Sequence, residues 1–275
     1  MKNIAFFLIF IILQIYPIIS IDNNGYANFR GFSSSDDTYF ASSKQIINGI
    51  EAEYNRYPYM VGLALSNSSQ PYCGGSLIDP VWVLSAAHCF KEENGTAFIG
   101  RHNFSDNSEM YEAIEIKQQI IHPDYDDILI DYDYMLVRLA EPSNASVIEL
   151  DYGSIEFDFQ VVMTVMGWGK TKNFGDKSDY LRETDVKYFE QSWCQFLYGW
   201  VGGVTDRMIC AKGWNTDACS GDSGGPLIMK GDDGSSDVLV GIVSWGFLCN
   251  FLVFPGVYAS VPNGLEFIRE YVPSI

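Results

Sequence analysis

The sequence predicts an all-β protein, and three observations carry that expectation. Short apolar runs rich in Val, Ile, Tyr and Phe recur along the chain, as at residues 60–65, 81–85, 161–165 and 238–244, with the length of strands rather than helices. Between the runs stand Gly, Asn, Asp and Pro, the residues that close turns. A hydrophobic share of 47% over 275 residues, with 15% aromatics, is enough for one large or two small domains with a sizeable core.

Taken in order, the chain begins with Lys2 followed by an apolar stretch at residues 4–15 and the small Ser20. A charged start, an apolar centre too short to cross a membrane comfortably and a small residue at the cleavage position describe a secretory signal peptide over residues 1–20. Residues 21–45, including Ser33, Ser34, Ser35, Asp36 and Asp37, are polar and lack a helical or strand period, as a flexible propeptide does. Strands then follow to the end of the chain, with a polar break around residues 142–153 where a domain boundary is expected. Residues 265–272 have helical apolar spacing and predict a short amphipathic C-terminal helix. No internal repeat or low-complexity tract interrupts this pattern.

The formal charge is −18, from 35 acidic and 17 basic residues. Residues 1–45 hold three of each sign, so the acidity belongs to residues 46–275. A negative surface argues against nucleic acid and anionic membranes as partners. Six cysteines in a secreted chain predict three disulfides, although six cysteines alone allow 15 pairings. Sequons at Asn67, Asn94, Asn103 and Asn144 suit the surface loops of a glycoprotein. No cluster has the types or spacing of a metal site, no nucleotide loop is present, and no cofactor is expected.

The stretch Asp217-Ala218-Cys219-Ser220-Gly221-Asp222-Ser223-Gly224-Gly225-Pro226 carries the chemistry. Glycines around a serine permit a tight turn that exposes Oγ and aims neighbouring N–H groups at one spot. The same composition also makes ordinary surface turns. Upstream residues decide between the two, because a hydroxyl needs a base to take its proton and a third group to orient that base. His88 follows an apolar run, Trp82 to Ala87, and precedes Cys89; Asp133 heads another run, Tyr134 to Leu139.

These segments, in the order His, Asp, Ser, resemble the trypsin/chymotrypsin-like serine proteases from about Ile46 to the C-terminus. The resemblance implies two six-stranded antiparallel β-barrels with the active site between them. His88 and Asp133 would come from the first barrel, and Ser223 from the second. It implies His88, Asp133 and Ser223 as the triad, the N–H groups of Gly221 and Ser223 as the oxyanion hole, and disulfides Cys73–Cys89, Cys194–Cys210 and Cys219–Cys249. A further bridge common in such proteases is replaced by Met163 and Met229. Asp217 would lie at the base of the primary pocket, Gly246 and Gly256 in its open walls, and Ser244, Trp245 and Gly246 along the edge that binds substrate backbone. Leu248 stands where a rim glycine is usual, and Arg101 where calcium-binding members carry an acidic ligand. Ile46 would be the mature N-terminus, its amine paired with Asp222, but Gln45 rather than a basic residue precedes it and the nearest base is Lys44. The expectation is a secreted monomeric zymogen that an activating protease converts into an endopeptidase acting on protein or peptide substrates after Arg or Lys. The alternative is a catalytically silent binding or inhibitor protein of the same fold.

Overall fold

Strand pairing closes most of the chain into two antiparallel barrels in the computed structural model, which describes residues 19–21, 27–29, 49–66, 68–93, 95–170, 176–213, 222–246 and 254–275. In the N-terminal unit, β1 (Ile19–Ile21) and β2 (Ala27–Phe29) form a two-stranded antiparallel ribbon. That stretch of sequence has no strand period. A two-strand pairing rests on backbone hydrogen bonds and does not need one.

The first barrel is built from β4 (Met60–Leu65), β5 (Cys73–Asp79), β6 (Trp82–Ser85), β7 (Gly95–Ile99), β8 (Glu112–Ile121) and β9 (Met135–Leu139), closed in the order β4-β5-β6-β9-β8-β7. The second uses β11 (Val162–Gly167), β12 (Arg182–Tyr188), β13 (Met208–Lys212), β14 (Pro226–Met229), β15 (Val238–Trp245) and β16 (Gly256–Ser260). It closes because β16 pairs with both β13 and β15. Met163 is fully buried and Met229 packs against the same apolar cluster, so two thioethers fill the place of the missing disulfide. Between the barrels the chain leaves β9 and keeps hydrogen bonds to the first barrel as far as Ile148. It then enters β10 (Glu149–Leu150), which pairs with β15.

Among the described residues, two α-helices complete the fold. The sequence did not predict α1 (Gln191–Tyr198), because it buries only Cys194 and Tyr198 and leaves Trp193 and Phe196 exposed. The C-terminal helix, α2 (Val261–Tyr271), begins four residues before the predicted span. Its first turn contains Pro262, Asn263 and Gly264, poor formers of helix interiors, yet proline suits the first turn.

Each barrel is strapped by a segment belonging to the other. Before entering the first barrel, β3 (Ile50–Glu51) pairs with β12 of the second. After leaving the second, α2 packs on the first: a Cβ at Gly264 would lie 2.9 Å from the Tyr134 ring, and Phe267 lies 4.9 Å from His122. A third link is polar. Asp237 accepts from Arg56 at 2.6 and 2.8 Å, from Tyr59 Oη at 2.6 Å and from the Gly231 amide at 2.8 Å. The Asp237 side chain is wholly buried and that of Arg56 is 10% exposed. Removing one member of a buried pair leaves the other charge uncompensated. Asp237→Ala is therefore expected to cost about 3–5 kcal/mol of stability, read as a lower denaturant midpoint; a midpoint unchanged from the parent would contradict it.

Candidate active site

The predicted histidine and acid meet at the mouth of the first barrel. His88 lies in a single turn of 3-10 helix, residues 87–89, directly after β6, and Asp133 lies just before β9, the strand paired with β6. Strand pairing therefore delivers both residues to the same end. His88 Nδ1 donates to Asp133 Oδ2 at 2.8 Å, and the His88 amide donates to Oδ1 at 2.9 Å. The carboxylate is 1% exposed, whereas the imidazole side chain is 26% exposed. A carboxylate only accepts, so Nδ1 carries a proton, and in the neutral ring Nε2 then keeps a lone pair.

A third donor reaches Asp133 from the other barrel. Ser244 Oγ donates to Oδ2 at 2.5 Å. The pairing of β15 with β16 shifts register between Val243 and Trp245, so Ser244 sits in a bulge that re-aims its side chain. The sequence reading placed Ser244 on the substrate edge and missed this contact. A polar residue inside an otherwise apolar run was the only available signal.

Ser223 reaches the same region through β5. The disulfide Cys73–Cys89 joins the first residue of β5 to the neighbour of His88. One residue along, the Gly74 amide donates to Ser223 O at 2.7 Å. Gly224 has φ +78°, and a Cβ there would fall 2.3 Å from Ser85 Oγ and 2.6 Å from Gly74 O. A Cβ at Gly74 would meet the Gly225 backbone at 2.9 Å. Glycines on both sides thus let the two backbones touch, docking the half-buried Ser223 on the strand whose first residue is bonded to the neighbour of His88. The Gly224 amide also donates to Val243 O at 2.8 Å, fixing the turn to β15.

Beside this lies the expected binding edge. Trp245 and Gly246 line a cavity of about 210 Å³ together with Ile128, Leu129, Tyr198 and Val201. The Trp245 ring packs edge-on against Tyr198 at 4.7 Å, and Tyr198 Oη donates to Pro255 O at 2.6 Å. A Cβ at Gly246 would lie 3.8 Å from Gly256 Cα, an ordinary contact. Glycine is therefore not demanded there by backbone crowding, and its effect is to leave space. Asp217, Gly221, Leu248 and the Cys219–Cys249 pairing lie outside the described residues, as do Ile46, Gln45 and Lys44.

Asp222 is 1% exposed. Its Oδ1 accepts from the Gly169 amide at 2.8 Å. The carboxylate threads between two glycines: a Cβ at Gly167 would lie 2.2 Å from Oδ1, and one at Gly169 2.5 Å from Oδ2.

The second disulfide, Cys194–Cys210, ties α1 to β13. Among the sequons, Asn144 is exposed, while Asn103 is half-buried with Oδ1 accepting from the Ser105 amide at 2.9 Å; Asn67 and Asn94 lie outside the described residues. Arg101 is 3% exposed, and its guanidinium lies 4.2, 4.5 and 5.1 Å from the ring centroids of Tyr111, Phe104 and Phe98. It donates to the carbonyls of Asn103 and Phe104. A fixed cation thus takes up oxygen acceptors of this loop, and the residues there do not fit a calcium ion.

The chain matches the family model described as Trypsin over residues 46–268. It is 40% identical to "Trypsin" of Simulium vittatum, over 78% of this chain and 87% of that protein. Identity to "Trypsin 5G1" of Aedes aegypti is 35%, over 83% and 85% of the two chains. "Trypsin-3" of Homo sapiens is 34% identical, over 85% of this chain and 74% of its own.

Proposed function

The chain belongs to the trypsin family of serine endopeptidases, and from that premise we propose a secreted enzyme, made as a zymogen, that cleaves after Arg or Lys with His88, Asp133 and Ser223 as its catalytic triad. The observation that carries the triad is the buried Asp133 holding His88 Nδ1 at 2.8 Å while the Ser223 turn is docked on β5 beside it. In this reading, Ser223 Oγ attacks the substrate carbonyl as His88 Nε2 takes its proton. His88 then gives that proton to the leaving amine, and an acyl-enzyme remains. Water, deprotonated by the same imidazole, releases the acid and restores Ser223. Asp133 keeps the imidazole in the required tautomer and stabilises its charged form. The amides of Ser223 and Gly221 would stabilise the oxyanion.

Basic specificity rests on Asp217, six residues before Ser223, and on the names of the relatives. A carboxylate at the base of a pocket pairs with a guanidinium or ammonium. Gly246 and Gly256 leave the walls open, with Leu248 as the departure at the rim. If substrate backbone adds along Trp245 and Gly246, the neighbouring cavity offers an apolar place for a side chain on the acyl side. Two formed disulfides suit an oxidising compartment, and the apolar N-terminal stretch suits export. The acidic surface and the family favour a monomer acting on protein substrates without a nucleic acid or membrane partner.

The test is a cleavage-site profile of the activated protein against a diverse peptide library, repeated with Asp217→Ser. Cuts after Arg and Lys are expected, and the substitution should reduce them by orders of magnitude. Equal cleavage after Phe or Leu by the parent would remove the basic assignment. A silent binding protein of the same fold would fail to react with a fluorophosphonate, which labels Ser223 only when His88 activates it.

A further inference from the structure

Asp133 belongs to the first barrel, yet the segment that carries it is gripped by the second. Ile130 and Tyr132 have φ of 53° and 51°, a left-handed conformation that is costly for side chains other than glycine and most unusual for a β-branched one. Two such residues, one on either side of Asp131, persist only where the surroundings over-determine them. Asp131 is 6% exposed. Its Oδ1 accepts from Arg207 Nε at 3.0 Å, Thr205 Oγ1 at 3.0 Å and the Tyr132 amide at 2.9 Å, and Oδ2 accepts from Arg207 Nη2 at 2.5 Å. Burial would push this carboxyl up, but hydrogen bonds from Arg207, the Tyr132 amide and Thr205 hold it below its ordinary value. The pair therefore stays charged across the neutral and mildly acidic range.

The grip continues beyond the ion pair. The Arg207 guanidinium lies 4.3 Å from the Tyr132 ring centroid, and that ring stacks on His122 at 4.7 Å. On the far side of Asp133, Tyr134 Oη donates to Ser260 O at 2.8 Å, and the Ser260 amide donates to Arg207 O at 2.8 Å. Main chain and side chain of Arg207 thus support the strained segment from both ends. That segment has two working neighbours: Ile128, Leu129 and Ile130 line the cavity beside Trp245, and Asp133 holds His88.

The geometry points to Arg207 as a positioning residue that, through Asp131, sets both the carboxylate behind His88 and the apolar wall of the cavity. This rests on the reading of His88, Asp133 and Ser223 as the triad. The fork of Arg207 spans both oxygens of Asp131, which a lysine ammonium cannot do.

The test compares Arg207→Gln, Arg207→Lys and Asp131→Asn with the parent in the activated protein. The readouts are the rate of Ser223 labelling by a fluorophosphonate, kcat and KM on peptides sharing Arg at the scissile bond but carrying an aliphatic or a charged residue toward the cavity, and the denaturant midpoint. Labelling and kcat should fall about 10- to 100-fold in Arg207→Gln, the scale of a misplacement of about 1 Å, and the preference for the aliphatic peptide should shrink. Arg207→Lys, which keeps the charge, should fold and recover part of the loss, and Arg207→Gln with Asp131→Asn should be no worse than either alone. A lower midpoint with parental labelling rate, kcat and peptide preference in the folded variants would overturn the positioning role while leaving the triad intact. A parent that is itself not labelled would instead overturn the triad reading and the positioning role with it.

Discussion

Ser223→Ala, His88→Ala and the double variant are each expected to lower kcat for peptide hydrolysis by about 10⁶-fold, with the double no worse than either single. That magnitude is carried over from triads of this kind. The non-additivity follows from the proposed mechanism: a serine without a base, or a base without a serine, performs the same missing proton transfer equally badly. Asp133→Asn should fall less far, by about 10⁴-fold, because it leaves a ring of the same shape facing the wrong hydrogen-bonding group and favours the wrong tautomer. Ser244→Ala should cost less again, since Asp133 keeps both bonds from His88. Stability should separate from activity in this series. Ser223 is half-buried and its carbonyl accepts from the Gly74 amide, a bond that alanine would keep, so Ser223→Ala should leave the denaturant midpoint nearly unchanged. Steady-state kinetics and labelling of the purified variants check the order. Losses that multiplied in the double variant would mean that Ser223 and His88 act independently, contrary to the mechanism.

The residues of the proposed triad stand out in the sequence because each sits next to a local pattern. His88 follows a buried strand and precedes a disulfide cysteine, Asp133 heads a buried strand, and Ser223 lies among glycines. The all-β class was legible for a similar reason, since short apolar runs between turn residues leave little room for helices. What joins these pieces was not legible. Ser244 meets Asp133 across 111 residues because of a bulge, and Arg207 meets Asp131 across 76 because two barrels dock. Neither contact leaves a periodic trace in the chain. Helix α1 escaped because Trp193 and Phe196 point to solvent, so burial imposes only the spacing of Cys194 and Tyr198.

In the proposed triad, bringing Ser223 to the His88–Asp133 pair would depend on contacts between barrels more than on either barrel alone. β5 holds both sides: Cys73 is bonded to the residue after His88, and Gly74 is bonded to the carbonyl of Ser223. A change that loosens this seam, or the Arg56–Asp237 link behind it, should lower activity before it unfolds a barrel.

The uncut chain is expected to be nearly inactive, and activity should appear only when the chain begins at Ile46. Asp222 adjoins Ser223 and is buried with its carboxylate between Gly167 and Gly169. We propose that the amine freed at Ile46 pairs with this buried carboxylate. Breaking a buried pair of this kind costs about 3–5 kcal/mol, enough to shift a two-state site by roughly 150- to 4,000-fold. A cut after Lys44 would leave Gln45 attached and put the amine one residue too far out. The terminus must then come from a protease that tolerates Gln, or from trimming of Gln45 after a first cut, so self-activation in one step is not expected. Three proteins test this: the chain beginning at Ile46, the chain beginning at Gln45, and Asp222→Asn beginning at Ile46. The first should be fully active, and the other two should fall below about 1% of it while keeping a cooperative unfolding transition. Gly167→Ala in the first chain should have a similar effect, since the added methyl would occupy the place of Oδ1. N-terminal sequencing of the active material is decisive, because full activity in a chain that still begins before Ile46 would show that the site assembles without the new amine.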